Sequence, residues 1–422
     1  MFSAGENDMA TGSLEIAAER ITKKELVVHL TSVHGAFDVR IFHRECKSLA
    51  NHGYKVLLIA PHDRNEEVDG VKINALPRPR SRPDRMTRIA WLAYRAALRQ
   101  SAAVYHLHDP ELIGIGLLLR ARGKKVIYDI HENLPKSILS KHYLAQGIRR
   151  PLAWLATQVE RAACRRFSAL VPAAPSIEER VKTLNPKVVS IQNFPVSKEM
   201  HPPTGVSWGE RSQAIAYVGG ISERRGIKEM VKAMSLLPDE LNIRLKLAGP
   251  FIPERLREEV CRMEGWNRVD MLGVLERRAV MLLLSQVKAG LVLIHHPFTR
   301  FKPGSPIKMF EYMAMGIPVI ASDCPQWREI IGGASCGLLV DPRKSQSIAE
   351  AIQYIISSPE QAEAMGRRGR QAVEELYNWE AERTKLLHLY TSLLEPTSDV
   401  CLNANETKKS SLTGERIRES SS

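Results

Sequence analysis

Short runs of unbroken apolar residues alternate with amphipathic stretches along most of this chain. "KELVVHLTS", "YKVLLIAP", "VKINALP", "AVYHLHD" and "KKVIYDIHE" are the first set. "AIAYVGG", "IRLKLAGP", "RVDMLGVL", "AGLVLIHH", "IPVIAS" and "GLLVDP" are the second. A strand that is apolar on both faces must be covered on both, and a parallel sheet with helices above and below it does this. The intervening stretches carry the helical period: Ile227, Met230, Val231 and Met234 of "GIKEMVKAMSLL" share one face. The alternation predicts βαβ units and an α/β fold. It breaks in "PVSKEMHPPTGVSWGERSQ", which holds three prolines and two glycines. The expected organisation is a disordered 1–23, a first doubly wound domain over 24–195, a linker over 196–212, a second domain over 213–376, a final helix over 377–395, and a disordered Ser/Lys/Glu-rich tail over 396–422.

Composition narrows the partners. The chain has 422 residues, with 60 Lys and Arg against 47 Asp and Glu, a net charge of +13. A basic surplus suits nucleotides, anionic headgroups or nucleic acid without choosing among them. The six cysteines are scattered, with no Cys-x-x-Cys pair, so neither a zinc ribbon nor a disulfide framework is expected. No apolar run reaches the ~18 residues of a membrane span. The first twenty residues lack the apolar core of a secretory signal. Cytoplasmic placement is the expectation.

In doubly wound sheets, ligands bind outside the carboxyl ends of the strands. The segment "FKPGSPIKMFEYMAMGIPVIAS" is informative there. Ser305 reads as an N-cap and Pro306 as the first helical residue. Free N–H groups at a helix start favour phosphate, and Lys308 adds charge at the same mouth. Glu311, three residues on, lies on the same side. A carboxylate beside phosphate is misplaced, but it can accept from the two hydroxyls of a ribose. Spacing alone favours a solvated Lys308–Glu311 pair on a surface helix over the ligand reading. In "HLHDP", His106 and His108 share a strand face and could begin a metal site. No third ligand follows at a useful spacing, and Asp109-Pro110 reads as a helix start, so a structural or acceptor-side role is expected and no metal. Gly35 after the first strand allows close backbone approach to a ligand. Arg40 either enters the cleft or pairs with Asp38. Gly114-x-Gly116 lies within a helix and makes no dinucleotide fingerprint. No Asp-x-Asp occurs to hold a divalent ion on a diphosphate.

"SPIKMFEYMAMGIPVIASD" closely resembles the nucleotide-binding signature of family 4 glycosyltransferases with the GT-B fold. "YVGGISERRGI", "LKLAGP" and "GLLVDP" fit that family in order, as do "HGAFDVRIFHRECKSLANHGYKV", "HLHDPELI" and "YDIHENLP". The resemblance spans about Lys24 to Leu394 and is nearest to bacterial enzymes of cell-surface polysaccharide synthesis. It implies two Rossmann-like domains facing a central cleft, with the final helix crossing back to the first. It also implies retaining, metal-independent transfer of a sugar from a nucleotide-sugar, UDP-linked by default and GDP-linked otherwise, to a hydroxyl of a glycan or lipid-linked acceptor. By resemblance Glu311 holds the ribose, Arg225 clamps the diphosphate with Arg224 beside it, and His131 lies near the reaction centre. Glu132 either orients His131 or meets the acceptor. Gly219, Gly220, Gly304, Ser305 and Pro306 complete the donor side. Gly35, Arg40, His108 and Asp109 fall on the acceptor side. Two departures stand out. Gly220 replaces the family's usual arginine, whose charge Lys308 or Arg224 is expected to supply. Gly304 replaces a glutamate seven residues before Glu311, leaving donor-sugar identity unread.

"PRPRSRPDRMTRIAWLAYRAALRQ" places Arg85, Arg88, Arg95 and Arg99 on one helix side and Met86, Ile89, Ala90, Ala93, Tyr94 and Ala97 on the other. This fits a helix resting on anionic lipid or a core helix with a basic outer face. "GIRRPLAWLATQVERAACRRF" adds a second basic amphipathic stretch. No RNA- or DNA-binding module accompanies them, so nucleic acid ranks low as a partner. The departures at 220 and 304 keep a membrane-bound nucleotide-sugar scaffold with little turnover as a rival reading. A GT-B UDP-sugar epimerase is another.

Overall fold

A computed structural model of the chain describes residues 25–139, 145–196, 206–295 and 306–395. The expected disorder of 1–23 and 396–422, and the candidates Gly304 and Ser305, lie outside the described residues. Contacts divide the chain into a first unit, 1–127 with 386–422, and a second, 128–385.

A seven-stranded sheet has the order β3-β4-β2-β1-β5-β6-β7. Its strands are β1 (Leu26–Leu30), β2 (Lys55–Pro61), β3 (Glu66–Val68), β4 (Val71–Leu76), β5 (Val104–Leu107), β6 (Lys125–Ile130) and β7 (Ala169–Pro172). Strands β4, β2, β1 and β5 run parallel, as their unbroken apolar sequences predict. The edge departs from that pattern. Strand β3 pairs antiparallel with β4 through Asp69-Gly70, both at positive φ. That is the backbone a two-residue hairpin loop needs.

The second sheet, wholly in the second unit, has the order β10-β9-β8-β11-β12-β13. It contains β8 (Ala214–Val218), β9 (Arg244–Ala248), β10 (Val269–Gly273), β11 (Ala289–Val292), β12 (Val319–Ser322) and β13 (Gly337–Val340). All neighbouring pairs are parallel. Strand order reverses direction between β8 and β11, so the crevice for a ligand is expected at their carboxyl ends. In the first sheet the reversal falls between β1 and β5.

Six helices matter below: α1 (Ala90–Leu98), α2 (Gln146–Cys164), α3 (Ile227–Ser235), α4 (Arg277–Gln286), α5 (Ile307–Ala314) and α6 (Trp379–Leu394). In α3 the residues Ile227, Met230, Val231 and Met234 are buried, as the periodicity predicts. The helix expected after β1 begins as a π-helix, Val39–Cys46, capped by Asp38, whose carboxylate accepts from the N–H groups of Arg40 and Ile41. Just before α6 lies the buried Asn378, whose amide donates to the carbonyls of Val373 and Glu374 and whose oxygen accepts from Ala381 N–H. All five described cysteines are free thiols. No helix among the described residues is long and apolar enough to cross a membrane.

Candidate functional site

At the end of β8 the chain turns through Gly219, at φ +118°. Close approach demands glycine nearby as well. A Cβ on Gly249, after β9, would lie 2.1 Å from the Gly219 carbonyl oxygen. The Gly220 carbonyl accepts from the Tyr217 hydroxyl and from Arg225 Nη1, both at 2.8 Å. Two donors on one oxygen hold this loop in a single shape. Gly226, left-handed at φ +73°, then opens α3. Arg224 and Arg225 are exposed beside it.

Helix α5 begins one residue later than the sequence suggests. Pro306 has extended backbone (φ −73°, ψ 133°) and occupies the cap position, with Ile307 the first helical residue. Lys308 and Glu311 point to the same side of α5, yet they do not form the surface pair that spacing alone allows. Glu311 instead accepts from Arg277 Nη1 of α4 at 2.9 Å. Lys308 Nζ lies 3.9 Å above the centre of the Tyr217 ring and 3.0 Å from where a Gly219 Cβ would stand. Burial lowers the Lys308 ammonium to about 7; nearby Arg225 adds to the fall and Glu311 opposes it. A half-buried lysine facing a second cation gains from an arriving phosphate.

Tyr312 fixes the helix against the sheet. Its hydroxyl accepts from Val218 N–H at 3.0 Å, and its ring fills the space where Gly290 lacks a Cβ, 2.2 Å from the nearest ring carbon. The structure therefore brings Gly219, Gly220, Arg225, Pro306, Lys308 and Glu311 to one strand-end region, with Arg224 adjacent. Sequence reasoning passed over Arg277. It follows the carboxyl end of β10, so the same strand-end rule reaches it.

The usual arginine cannot be restored simply at Gly220. A Cβ there would lie 2.9 Å from Ile252 Cδ1 and 3.0 Å from Arg225 Nη1. Arg225 already fills the space such a side chain would enter.

His131, just past β6, is held by Asp129, with Nε2 2.7 Å from Oδ2. Residues two apart on extended chain face the same way, so Asp129 orients the ring. Glu132, the partner weighed from sequence, accepts instead from the Ser137 hydroxyl at 3.2 Å.

In the first unit the acceptor-side candidates part company. Gly35 is exposed, with nothing within 4 Å of a Cβ built on it. Asp109 is buried; its Oδ2 accepts from Ser32 N–H at 2.6 Å, the Thr31 hydroxyl at 2.8 Å and Val33 N–H at 3.2 Å. It fixes the loop after β1. Arg40 does not face solvent; its backbone N–H donates to the Asp38 carboxylate at 2.9 Å. It is buried, with Nε 3.1 Å from Glu45 Oε1. His108 is buried beside His29 and His106.

The basic stretches also sort themselves. On the first, Ile89, Ala90, Ala93, Tyr94 and Ala97 are buried as expected, but Met86 is exposed. Arg85 and Arg88 are neutralised by Glu111 and Asp84. Helix α2 is different: Ile148, Leu152, Leu155 and Val159 form an exposed stripe, with Trp154 65% exposed.

Two family models match successive parts of the chain. Residues 39–195 match the family described as glycosyl transferase 4-like domain, and residues 206–372 match glycosyl transferases group 1. An uncharacterized glycosyltransferase of Methanocaldococcus jannaschii is 25% identical over 51% of this chain and 59% of its own length. The phosphatidyl-myo-inositol mannosyltransferase of Mycobacterium leprae is 22% identical over 70% of this chain and 75% of its own. Among solved structures, sucrose-phosphate synthase from Thermosynechococcus elongatus superposes with a TM-score of 0.69 at 20% identity, covering 87% of this chain and 99% of that one. HepE of Anabaena, solved with UDP and glucose, gives 0.66 at 13% identity, over 87% and 100%. These structural likenesses establish the shared fold.

Proposed function

Since the chain belongs to the family 4 type of GT-B glycosyltransferases, we propose that it transfers a sugar, with retention, from a nucleotide-sugar to a hydroxyl of a glycan or lipid-linked acceptor in polysaccharide synthesis. The observation that carries this is the grouping of Lys308, Arg225 and Glu311 where the second sheet reverses. Charge develops on the diphosphate as the sugar leaves. Lys308, Arg225 and the N–H groups opening α5 stabilise that charge without a metal. Glu311, steadied by Arg277, accepts from the ribose hydroxyls. His131, oriented by Asp129, serves the sugar and the reaction centre. Attack from the face the diphosphate leaves accounts for retention.

A UDP-sugar is the default donor. The mannosyltransferase relatives include enzymes described as GDP-mannose-dependent, so GDP is the second choice. The exposed apolar stripe of α2, with Arg149 and Arg150 on the same helix, suits the cytoplasmic face of an anionic membrane, where a lipid-linked acceptor would be met. Gly220 raises the rival reading of a nucleotide-binding scaffold. Arg225 in the space beside Gly220 speaks for the enzyme.

The deciding experiment is thermal stabilisation by UDP-, GDP-, ADP- and dTDP-sugars, on wild type and Glu311→Ala. A ligand that binds only the folded state raises the midpoint. One nucleotide class should shift wild type, with the shift lost in the variant. No shift by any of them at millimolar concentration would sink the site assignment. Binding without turnover on any acceptor would favour the scaffold.

A further inference from the structure

The register of β1 on β5 sets His29 opposite His106, and His108 lies two residues further on the same face. The third donor that the sequence lacks downstream of "HLHD" thus comes from upstream. Glu45, from the π-helix, approaches the same three rings. His29, Glu45 and His106 are 0% exposed and His108 1%. One donor atom from each of the four lies within 4.8 Å of the others.

We propose that His29, His106, His108 and Glu45 form a structural site for a divalent transition metal, zinc by its chemistry. His29 Nδ1 is 2.9 Å from His108 Nε2. Glu45 Oε2 is 3.8 Å from His106 Nδ1 and 4.0 Å from His108 Nε2. The last two separations exceed hydrogen-bond length. A tetrahedral ion with bonds of ~2.0–2.1 Å holds its ligands about 3.3 Å apart, within the range these distances span. The four donors, which lie within 4.8 Å of one another, would draw together to close on the ion.

The surroundings match those of metal ligands. The Tyr390 hydroxyl of α6 lies 3.1 Å from His29 Nε2 and 2.9 Å from His106 Nδ1, so on binding the ion His106 Nδ1 would exchange this hydroxyl for the metal while His29 Nε2 keeps it. Arg40 holds the far oxygen of Glu45. Outer partners of this kind fix ring orientation and tautomer. Buried Arg40 and Arg44 disfavour a cation held by charge alone. The site therefore selects an ion that bonds strongly to imidazole, and it rejects calcium and magnesium, which need more oxygen ligands. The ion would join β1, β5 and the π-helix.

The test uses the untagged full chain, purified without added metal or chelator. Elemental analysis should find about one zinc per chain. Chelator-stripped protein should regain several degrees of thermal midpoint on zinc addition. With Co2+ it should develop the strong visible absorption of a tetrahedral site. Glu45→Gln and His29→Asn, made separately, should each lose zinc affinity at least tenfold while keeping their far-UV circular dichroism. If a variant does not fold, the three wild-type measurements still decide. Wild type with no stoichiometric metal, no midpoint shift and no cobalt spectrum would overturn the site and leave a hydrogen-bonded histidine network. Zinc retained in both folded variants would overturn it too, by placing the ion elsewhere.

Discussion

Lys308 shows how one side chain changes meaning between sequence and structure. Its spacing from Glu311 was legible, and so was its place at a helix mouth. Its proton was not, because burial over Tyr217 is a tertiary fact. With the folded value near 7 and an unfolded value near ~10.4, the unfolded chain binds the extra proton between those pH values. Stability therefore rises with pH across that window. Denaturant titrations at pH 7 and 9.5 should show a steeper rise for wild type than for Lys308→Met. Nucleotide affinity should move oppositely, falling above pH 7, with proton uptake visible by calorimetry in buffers of different ionisation enthalpy. Asp129→Asn is expected to lower kcat about tenfold or more with nucleotide affinity unchanged, since it disturbs the orientation of His131. Gly249→Ala forces a Cβ onto the Gly219 carbonyl at φ +140°. It should cost roughly 2–4 kcal/mol by urea unfolding, whereas Gly35→Ala should be near neutral.

Elements with strong periodicity were the most legible. Helix α3 and the unbroken apolar strands follow from sequence alone, because each buries a pattern that no other arrangement would cover. The β3–β4 hairpin was missed although Asp69-Gly70 is a strong local turn signal; the polar "EEV" hides a strand that lies at an edge. The π-helix left no sequence mark, because its extra residue per turn depends on what Arg40, Arg44 and Glu45 meet inside the unit. The pairing of His29 with His106 depends on register, which spacing along one strand cannot reveal. Helix α6 is tied in by Tyr390, whose hydroxyl is 2.9 Å from His106 Nδ1 as well as bonded to His29. Tyr390→Phe removes the hydroxyl that His29 and, in the metal-free chain, His106 meet, and should cost about 1–3 kcal/mol, read as a lower urea midpoint.

At the scale of the molecule, the doubly wound plan was readable, and so was the strand-end region where Lys308, Arg225 and Glu311 gather, which we propose as the nucleotide site. The acceptor was not, because Gly35, Arg40, His108 and Asp109 divide between an exposed loop and buried frameworks. The net charge of +13 and the bare apolar stripe of α2 lead to a vesicle test. Sedimentation with anionic vesicles should weaken as salt rises, and a Trp154→Ser, Leu155→Ser double variant should lose it without losing nucleotide binding.

The contact between His106 and Tyr390 joins residues 284 positions apart. A ribosome delivers β1 and β5 long before it delivers α6. Throughout synthesis of the whole second unit, the first must wait with its histidines uncovered on the side α6 will close. Its folding cannot finish in the order in which the chain emerges. A chain stalled or cut shortly before Leu386 would carry the complete second sheet and a first unit that never closes, and the cell's quality control would meet it as an unfinished protein.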